Sequence, residues 1–169
     1  MPEHNAAYRI SHLHLTTHVE GGAFAEVYRS PLLLPADALP ATFDSIRHSC
    51  THIYFLPEQA QFSAFHRIQS DELWHFYAGG PLAIYEIDSE GRLITHLPGN
   101  DPEKGQSFFC MVKAGHWFAS RPAAGTDYSL CGCTVSPGFD FADFELAFAD
   151  QLAASYPQHA ALIHALCRQ

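Results

Sequence analysis

Short segments in which apolar and polar residues alternate, separated by turn residues, occupy most of residues 23–136 and constrain the fold most strongly. Alternation with a period of two is typical of half-buried β-strands, and Gly, Pro, Asn and Asp mark the turns between them. Many short strands with frequent turns indicate a β-sandwich or a closed barrel. We predict about nine strands, near residues 24–29, 51–56, 62–68, 72–78, 82–87, 93–97, 107–112, 116–121 and 128–135.

Helical spacing of apolar residues appears only at the two ends of the chain. Residues 5–15 fit a short helix before the first strand. After the last strand, we predict one helix over residues 141–152 and a second that begins at Pro157, a residue favoured in the first helical turn. Asp140 and Asp143 are expected to cap the first of these two helices. The sequence therefore indicates a β-barrel with helices packed outside it.

Length and composition indicate one folded domain. The chain has 169 residues, of which 47% are hydrophobic and 16% charged, and we predict a single domain over residues 1–169. The net charge is −9, and the chain has no run of Lys or Arg, so a phosphate backbone would be repelled. No stretch approaches the ~20 apolar residues that span a bilayer. We therefore expect neither nucleic-acid nor membrane binding.

The cysteines and the N-terminus indicate a cytoplasmic protein. Five Cys are present, an odd number without zinc-like spacing. Cys131 and Cys133 lie two apart in a predicted strand, where disulfide geometry is rare, so we expect buried thiols. The first residues lack the basic start and apolar run of a signal peptide.

Two further sets of residues are interpreted as structural. The first contains histidines at the end of the N-terminal helix, expected to be solvated. The second contains aromatic residues expected to anchor the C-terminal helix in the core. These sets are His12, His14 and His18, and Phe139, Phe141, Phe144 and Phe148.

The chemically informative segment spans residues 62–80. It brings together two imidazoles, two carboxylates and an indole within ten positions, namely His66, Asp71, Glu72, Trp74 and His75. Two interpretations of this cluster remain open. It forms either a half-buried hairpin with a solvated acidic turn or a binding site.

The spacing in this segment resembles the first cupin motif. His66, Glu72 and Gly79 match its first His, its Glu and its Gly, whereas Ile68 replaces its second His. Residues 113–118 resemble the second cupin motif, with Phe118 in place of its His. The chain is most similar to the Cupin-5 family, a domain of unknown function, in segments that cover nearly the whole chain. These segments are residues 18–24, 28–30, 53–56, 65–67, 70–75, 114–118, 133–141 and 156–157.

The resemblance implies an all-β cupin fold, a double-stranded β-helix or jelly-roll barrel, with flanking N- and C-terminal α-helices. It also implies a dimer and a shape like that of seed-storage proteins and sugar epimerases. It implies no established activity. Val19 and Lys113 stand where the family usually has Pro, which is expected to change loop stiffness only.

The resemblance also bears on metal binding, because the usual cupin site has three His and one carboxylate. Here only His66 and Glu72 remain, while Ile68 and Phe118 are apolar. Open metal sites generally keep three protein ligands. His75 could be a third, but on a regular strand it points away from Glu72, so only a bulge would unite them. We expect no cofactor, and a weakly bound divalent metal at His66 and Glu72 remains a hypothesis.

If His66 and Glu72 point inward, as the resemblance implies, strand alternation turns Trp74 and Phe118 inward as well. An aromatic pocket with a few polar groups is the usual form of a small-molecule site. A hairpin would place the strands of His66 and Glu72 side by side. Glu26 fits either this pocket or a dimer interface. The candidate ligand-binding residues are His66, Glu72, Trp74, His75, Phe118, Glu26 and Tyr28.

Three functions remain open. The first is a cupin that binds a small molecule, such as a sugar or another metabolite, around His66 and Glu72. The second is a metal-independent isomerase or epimerase, in which His66, paired with Glu72 or Asp71, is the base and Tyr28 or Tyr77 the acid. The third is a structural protein with a vestigial pocket.

The sequence also predicts a homodimer and a contrast between two histidines. The apolar stretch around Val27 and residues 32–34 is difficult to leave exposed on a monomer. His66→Ala is expected to weaken ligand binding and to cost about 1–3 kcal/mol of stability. His116→Ala is expected to be nearly silent.

Overall fold

The computed structural model describes residues 4–18 and 21–168. Helix α1, Ala6–His12, is capped by Asn5, whose side chain accepts a 3.0 Å hydrogen bond from the Tyr8 N–H. Ala6 lies in an apolar cluster with Leu56 and Leu130, so the helix packs against the strands. In the described part of the chain, no helix has the length and apolar character needed to span a membrane.

Two antiparallel sheets form the body of the molecule. In the described residues, one sheet has six strands in the order β1-β2-β5-β12-β7-β10, and the other has five in the order β13-β6-β11-β8-β9. β3 and β4 pair separately. The strands are β1 Thr16–Thr17, β2 Ala23–Arg29, β3 Leu33–Leu34, β4 Arg47–His48, β5 Thr51–Leu56, β6 Ser63–Arg67, β7 Asp71–Gly79, β8 Leu82–Ile87, β9 Leu93–His96, β10 Phe109–Val112, β11 Trp117–Pro122, β12 Ser129–Ser136 and β13 Glu145–Leu146.

The nine strands predicted from alternation are confirmed, and the jelly-roll expectation agrees with two facing antiparallel sheets. The short strands β1, β3, β4 and β13 were not predicted, because two residues are too few to show a period. Alternation also determines which of two apolar clusters a side chain joins. On β8, Leu82 and Ile84 face the barrel interior, whereas Ile87 faces a second cluster outside it.

The C-terminal segment differs from its prediction. Residues 141–152 do not form one helix. Instead, a 3-10 turn at Phe141–Asp143 and strand β13 precede helix α2, Ala149–Ser155, and helix α3, Ala160–Ala165, follows. The two helices cover the five-stranded sheet through a cluster that includes Ile163. Asp140 caps the 3-10 turn instead of a helix, because its side chain accepts a hydrogen bond from the Ala142 N–H at 2.9 Å.

Asp143 does not cap a helix but forms a buried ion pair. Arg47 Nε and Nη2 donate to its two carboxylate oxygens, each at 2.7 Å, and the side chains are 2% and 5% exposed. The pair joins β4 to the turn before β13. Because a charge left alone in the interior is poorly solvated, each partner depends on the other.

A second buried carboxylate is held by histidines. Glu86 accepts from His96 Nε2 and His116 Nδ1, each at 2.6 Å, and from the Lys113 backbone N–H at 3.3 Å. The Lys113 bond needs an N–H that proline lacks, so this departure from the family does more than change loop stiffness. The expectation that His116→Ala is silent is wrong, since His116 supports a buried charge.

The cysteines agree with the sequence interpretation. All five lie in the described residues and are free thiols, and Cys131 and Cys133 are buried in the barrel core. Burial raises the pKa of Cys131 and raises that of Cys110 to about 12. These thiols therefore stay protonated and unreactive at neutral pH.

We expect Asp143→Asn to destabilise the protein by about 3–5 kcal/mol, because it removes the buried charge that Arg47 faces and leaves the exposed Asp44, at 3.1 Å, as its carboxylate partner. Glu145→Gln is the matched control, since Glu145 pairs with Arg67 at 2.7 Å but both side chains are exposed. Such surface pairs contribute about 0–1 kcal/mol. Urea unfolding of both variants measures the difference, and equal losses would contradict a special role for the buried pair.

We expect Glu86→Gln to lose stability at neutral pH by about 1–3 kcal/mol, because hydrogen bonds to a buried charge are lost. Burial alone would raise the pKa of Glu86, but hydrogen bonds from His96, His116 and the Lys113 N–H outweigh it and lower the pKa. A lowered carboxyl pKa stabilises the fold above the unfolded-state value, about 4.3, and the gain disappears as the pH falls through the folded-state value.

The measurement for Glu86→Gln is thermal unfolding of both proteins from about pH 5 down to about pH 3. The difference in melting temperature between the wild type and the variant should disappear over this pH range. A gap that stays constant or widens toward acid would show that Glu86 is not ionised in the folded protein.

Candidate functional site

A cavity of about 280 Å³ lies between the six-stranded sheet and strand β6. This volume is slightly below the roughly 300–1,000 Å³ that ligand pockets span. Aromatic and aliphatic side chains form most of the wall, and polar groups interrupt it. The lining residues are His18, Phe24, Glu26, Arg29, Thr51, Ile53, Phe55, Ser63, His66, Ile68, Glu72, Trp74, Cys133, Val135, Phe139, Asp140 and Phe141.

Three buried side chains with polar groups form the floor of the cavity. His66, Glu72 and Trp74 are 4%, 8% and 3% exposed. His66 lies on β6 of the five-stranded sheet, whereas Glu72 and Trp74 lie on β7 of the other sheet. The expected hairpin between β6 and β7 is therefore wrong, and both residues reach the cavity because the sheets face each other.

The orientation of the His66 ring defines its tautomer. Nδ1 lies 2.7 Å from the carbonyl oxygen of Ala64, and a carbonyl can only accept, so Nδ1 carries the proton. In the neutral ring, Nε2 is then the nitrogen without a proton. The ring packs against Phe118 and Phe144, at centroid distances of 4.1 and 5.4 Å.

The outer end of the cavity is held by an ion pair between Arg29 and Glu26. Arg29 Nε and Nη2 donate to the two oxygens of Glu26 at 2.9 and 2.6 Å, and Nη1 donates to the Phe139 carbonyl at 3.3 Å. The hydrogen bonds to Glu26, together with the charges of Glu26 and Asp140, raise the pKa of Arg29. The guanidinium therefore ties β2 to the segment after β12.

Tyr28 does not line the cavity, although alternation placed it on one face with Phe24 and Glu26. The register of β2 against β5 shifts between Glu26 and Tyr28, so Val27 forms a bulge. A bulge adds one residue and reverses the alternation beyond it. As a result, Arg29 lines the cavity and Tyr28 is half exposed.

His75 and Phe118 also lie off the cavity wall. His75 is on the outer face of its sheet, where Nε2 lies 3.3 Å from Thr134 Oγ1 and the ring packs against Phe109. No bulge unites it with Glu72. Phe118 is 1% exposed and lies behind the wall, between His66 and Trp74.

Several lining residues were not predicted from the sequence. His18 was interpreted as solvated, and Phe139 and Phe141 as core anchors of a helix. Phe141 is instead 64% exposed at the rim. The available signal was the turn at Pro137 and Gly138, which ends β12 and lets the next residues cross the cavity opening. Val19 lies outside the described residues.

The charges of the described lining are predominantly negative. Glu26, Glu72 and Asp140 are carboxylates, and Arg29, the single guanidinium among the described lining residues, is already bound to Glu26. An anion entering this cavity would meet like charge without a free Arg fork to bind it.

The residues do not fit the usual cupin metal. Ile68 and Phe118 supply carbon where two imidazoles would be needed, and His75 faces away. Among residues 4–18 and 21–168, no group of three or more His, Cys, Asp or Glu side chains has a metal-binding arrangement. First-row metals generally need at least three protein ligands.

Comparison with known proteins agrees with this architecture. The family model described as Cupin superfamily (DUF985) matches residues 7–147. A hypothetical protein from Leishmania major is 35% identical, with a TM-score of 0.88 over 98% of this chain and 99% of that one. A Shewanella oneidensis protein is 41% identical, with a TM-score of 0.85 over 97% and 98%. No curated protein matched.

More distant structures share only the fold. Bacillus subtilis oxalate decarboxylase is 11% identical, with a TM-score of 0.53 over 89% of this chain and 36% of that one. A cupin 2 domain-containing protein from Halorhodospira halophila is 15% identical, with a TM-score of 0.55 over 91% and 88%. The motif residues, the facing sheets and the two full-length relatives together show that this chain belongs to the Cupin superfamily (DUF985) family.

Proposed function

We propose that this protein binds a small molecule in the cavity, with His66 and Glu72 at its floor. The observation that carries the proposal is a buried imidazole and a buried carboxylate facing an open volume of about 280 Å³ lined by aromatic rings. Pockets that combine an apolar wall with a small number of polar groups are the usual form of a small-molecule site, so the polar floor supports a role in recognition.

The existence of the cavity also supports binding over a vestigial pocket. A pocket that had lost its role would be expected to fill with its own side chains, because cavities reduce stability. Here the bulge at Val27 and the Arg29–Glu26 pair lie at the opening, and the described lining residues surround a volume of about 280 Å³.

A metal-independent isomerase has one supporting observation, the His66 tautomer, which makes Nε2 a possible general base. The proposed acids do not support it. Tyr28 is half exposed outside the cavity, and the Tyr77 hydroxyl lies 3.1 Å from His52 Nε2 on the outer face. The binding function therefore has stronger support than the catalytic one.

We also propose that the protein is a homodimer in solution. Apolar side chains on β2, β3 and the loops beside β3 and β4 are exposed; four of them lie within residues 27–33, and the fifth directly precedes β4, which pairs with β3. They are Val27, Tyr28, Leu32, Leu33 and Ile46. An exposed apolar group of this kind is typical of an interface.

For ligand binding, we expect His66→Ala to abolish thermal stabilisation by any compound that stabilises the wild type. At one hundred times its dissociation constant, such a ligand adds about 2.7 kcal/mol. His164→Ala is the matched control, because His164 is exposed on α3. The screen uses neutral sugars, polyols, amines and organic acids, and retained binding by His66→Ala would place the site elsewhere.

For assembly, light scattering of the wild type should give about twice the chain mass of 18.7 kDa. Leu33→Lys should shift the mass toward one chain, because a buried charge opposes association. Tyr8→Lys, an exposed change on α1, is the control. A wild-type mass of one chain in dilute neutral buffer would refute the dimer.

A further inference from the structure

We infer that a second copy of this chain docks on the outer face of the six-stranded sheet, and that a hydrogen-bonded chain of Tyr77, His52, Thr134 and His75 makes this face suited to burial. The inference rests on the proposed homodimer and goes beyond it, because it assigns the surface on which the two copies meet and the residues that specify that surface.

The outer face consists of the residues that alternate with those of the cavity wall and the core. Ile53, Trp74 and Cys133 line the cavity, so their neighbours along each strand point away from it. Among the described helices, α2 and α3 cover the five-stranded sheet, whereas α1 packs on one end of the six-stranded sheet. The outward residues beside and beyond α1, here called the sheet face, are Tyr28, His52, Tyr54, Leu73, His75, Tyr77, Phe109, Met111, Gly132 and Thr134.

The sheet face carries no Lys, Arg, Asp or Glu, although the chain contains 18 acidic and 9 basic residues. The outward carboxylate Asp71 lies at the end of β7, where its Oδ1 accepts from the Ala114 N–H at 2.9 Å. Burial and the nearby imidazole of His75 lower the pKa of His52, so His52 is neutral at neutral pH.

Large side chains of the sheet face are nevertheless exposed. Tyr28, Tyr77 and Phe109 are 50%, 46% and 49% exposed. A surface that lacks charged residues and is rich in Tyr, Phe and Met has the composition of the core of a protein–protein interface.

The polar groups of the sheet face bind one another. The Tyr77 hydroxyl lies 3.1 Å from His52 Nε2, His52 Nδ1 lies 2.7 Å from Thr134 Oγ1, and Thr134 Oγ1 lies 3.3 Å from His75 Nε2. Removing water from a polar group is unfavourable unless the group has a protein partner. These atoms already have partners within the chain, so a second protein can cover them without leaving them unsatisfied.

Gly132 allows this hydrogen-bonded chain to form. A Cβ atom at this position would clash with the Tyr77 hydroxyl and would lie 2.6 Å from His52 Cε1. Glycine weakens the interior of a strand and often marks a close approach of other groups. Its place in β12 is therefore explained by the side chains that meet above it.

A second copy is the partner that this face fits. Two chains with a net charge of −9 repel each other, so they approach most favourably through a surface without charged side chains. In a two-fold dimer the same surface meets itself, and an uncharged surface is complementary to its own copy.

The sheet face is also continuous with the apolar residues proposed above as dimer contacts. Tyr28 belongs to both sets and is the register partner of His52 across β2 and β5. Stable interfaces involve about 20–30 residues on each side, far more than the five apolar residues of the first set. The sheet face supplies the extension that such an interface needs.

Light scattering of charge-insertion variants tests the surface. We expect Phe109→Lys to raise the dissociation constant of the dimer at least about tenfold, because the charge would be buried on association. Leu93→Lys is the matched control, since Leu93 is 38% exposed on β9, the edge strand of the other sheet. If the wild type and both variants dimerise equally, the surface is wrong and the homodimer stands. A wild-type mass of one chain would remove both.

Thr134→Val tests the hydrogen-bonded chain. Valine has a similar shape but no hydroxyl, so ring nitrogens of His52 and His75 lose their partner. In the monomer, water can replace the hydroxyl; in the dimer it is excluded, so we expect about tenfold weaker dimerisation and little change in monomer stability. Thr95→Val, an exposed change on β9, is the control. Equal dimer affinity in the two variants would overturn the role of this chain.

Hydroxyl-radical footprinting of the wild type keeps the test decisive even if a variant fails to fold. Side-chain oxidation is compared at protein concentrations above and below the dissociation constant of the dimer. We expect Tyr77 and Phe109 to be protected at least about threefold in the dimer, whereas Phe148, 72% exposed before α2, should be oxidised equally in both samples. A dimer in which Tyr77 and Phe109 are oxidised as fast as in the monomer would contradict the assigned surface.

Discussion

The link between β6 and β7 is the constraint on which the rest of the structure depends. β6 ends at Arg67 and β7 begins at Asp71, and the two strands belong to different sheets. Residues 68–70 therefore carry the chain from one sheet to the other. Gly115 N–H donates to the Ile68 carbonyl at 2.8 Å, and Ser70 Oγ donates to the Pro137 carbonyl at 2.7 Å. These bonds secure the link to the two loops beside it and hold the sheets face to face.

Two of the buried polar centres, the one around Glu86 and the one at the cavity floor, differ in their surroundings. Around Glu86, the imidazoles of His96 and His116 and a backbone N–H provide donors for both carboxylate oxygens. That centre is complete without a ligand. At the cavity, by contrast, His66 and Glu72 are buried beside a volume of about 280 Å³. A network closed on itself stabilises one conformation, whereas polar groups beside space are suited to recognition.

Sequence reasoning succeeds where the signal is periodic and local. The long strands follow from alternation, and the segment around His66 and Glu72 follows from motif spacing. It fails where one extra residue reverses the alternation of a strand. The bulge at Val27 does so in β2, where it turns Tyr28 outward and Arg29 inward. It also fails for partners far apart in the chain, because nothing local links Arg47 to Asp143 across 96 residues.

The loss of metal-ligand positions and the form of the cavity have a common physical origin. Phe118 fills the place of an imidazole and packs against His66 and Trp74, so an apolar ring in the core now supports the floor from behind. Polar contacts to the proposed ligand would then come from the floor itself and from the rim, where β2 and the segment after β12 meet. The rim depends on the bulge of β2 and on the Arg29–Glu26 ion pair, and neither takes part in the ring contacts of Phe118 with His66 and Trp74. Differences in ligand choice among proteins with this barrel are therefore expected to arise at the rim, while Phe118 and the β6–β7 link preserve the fold.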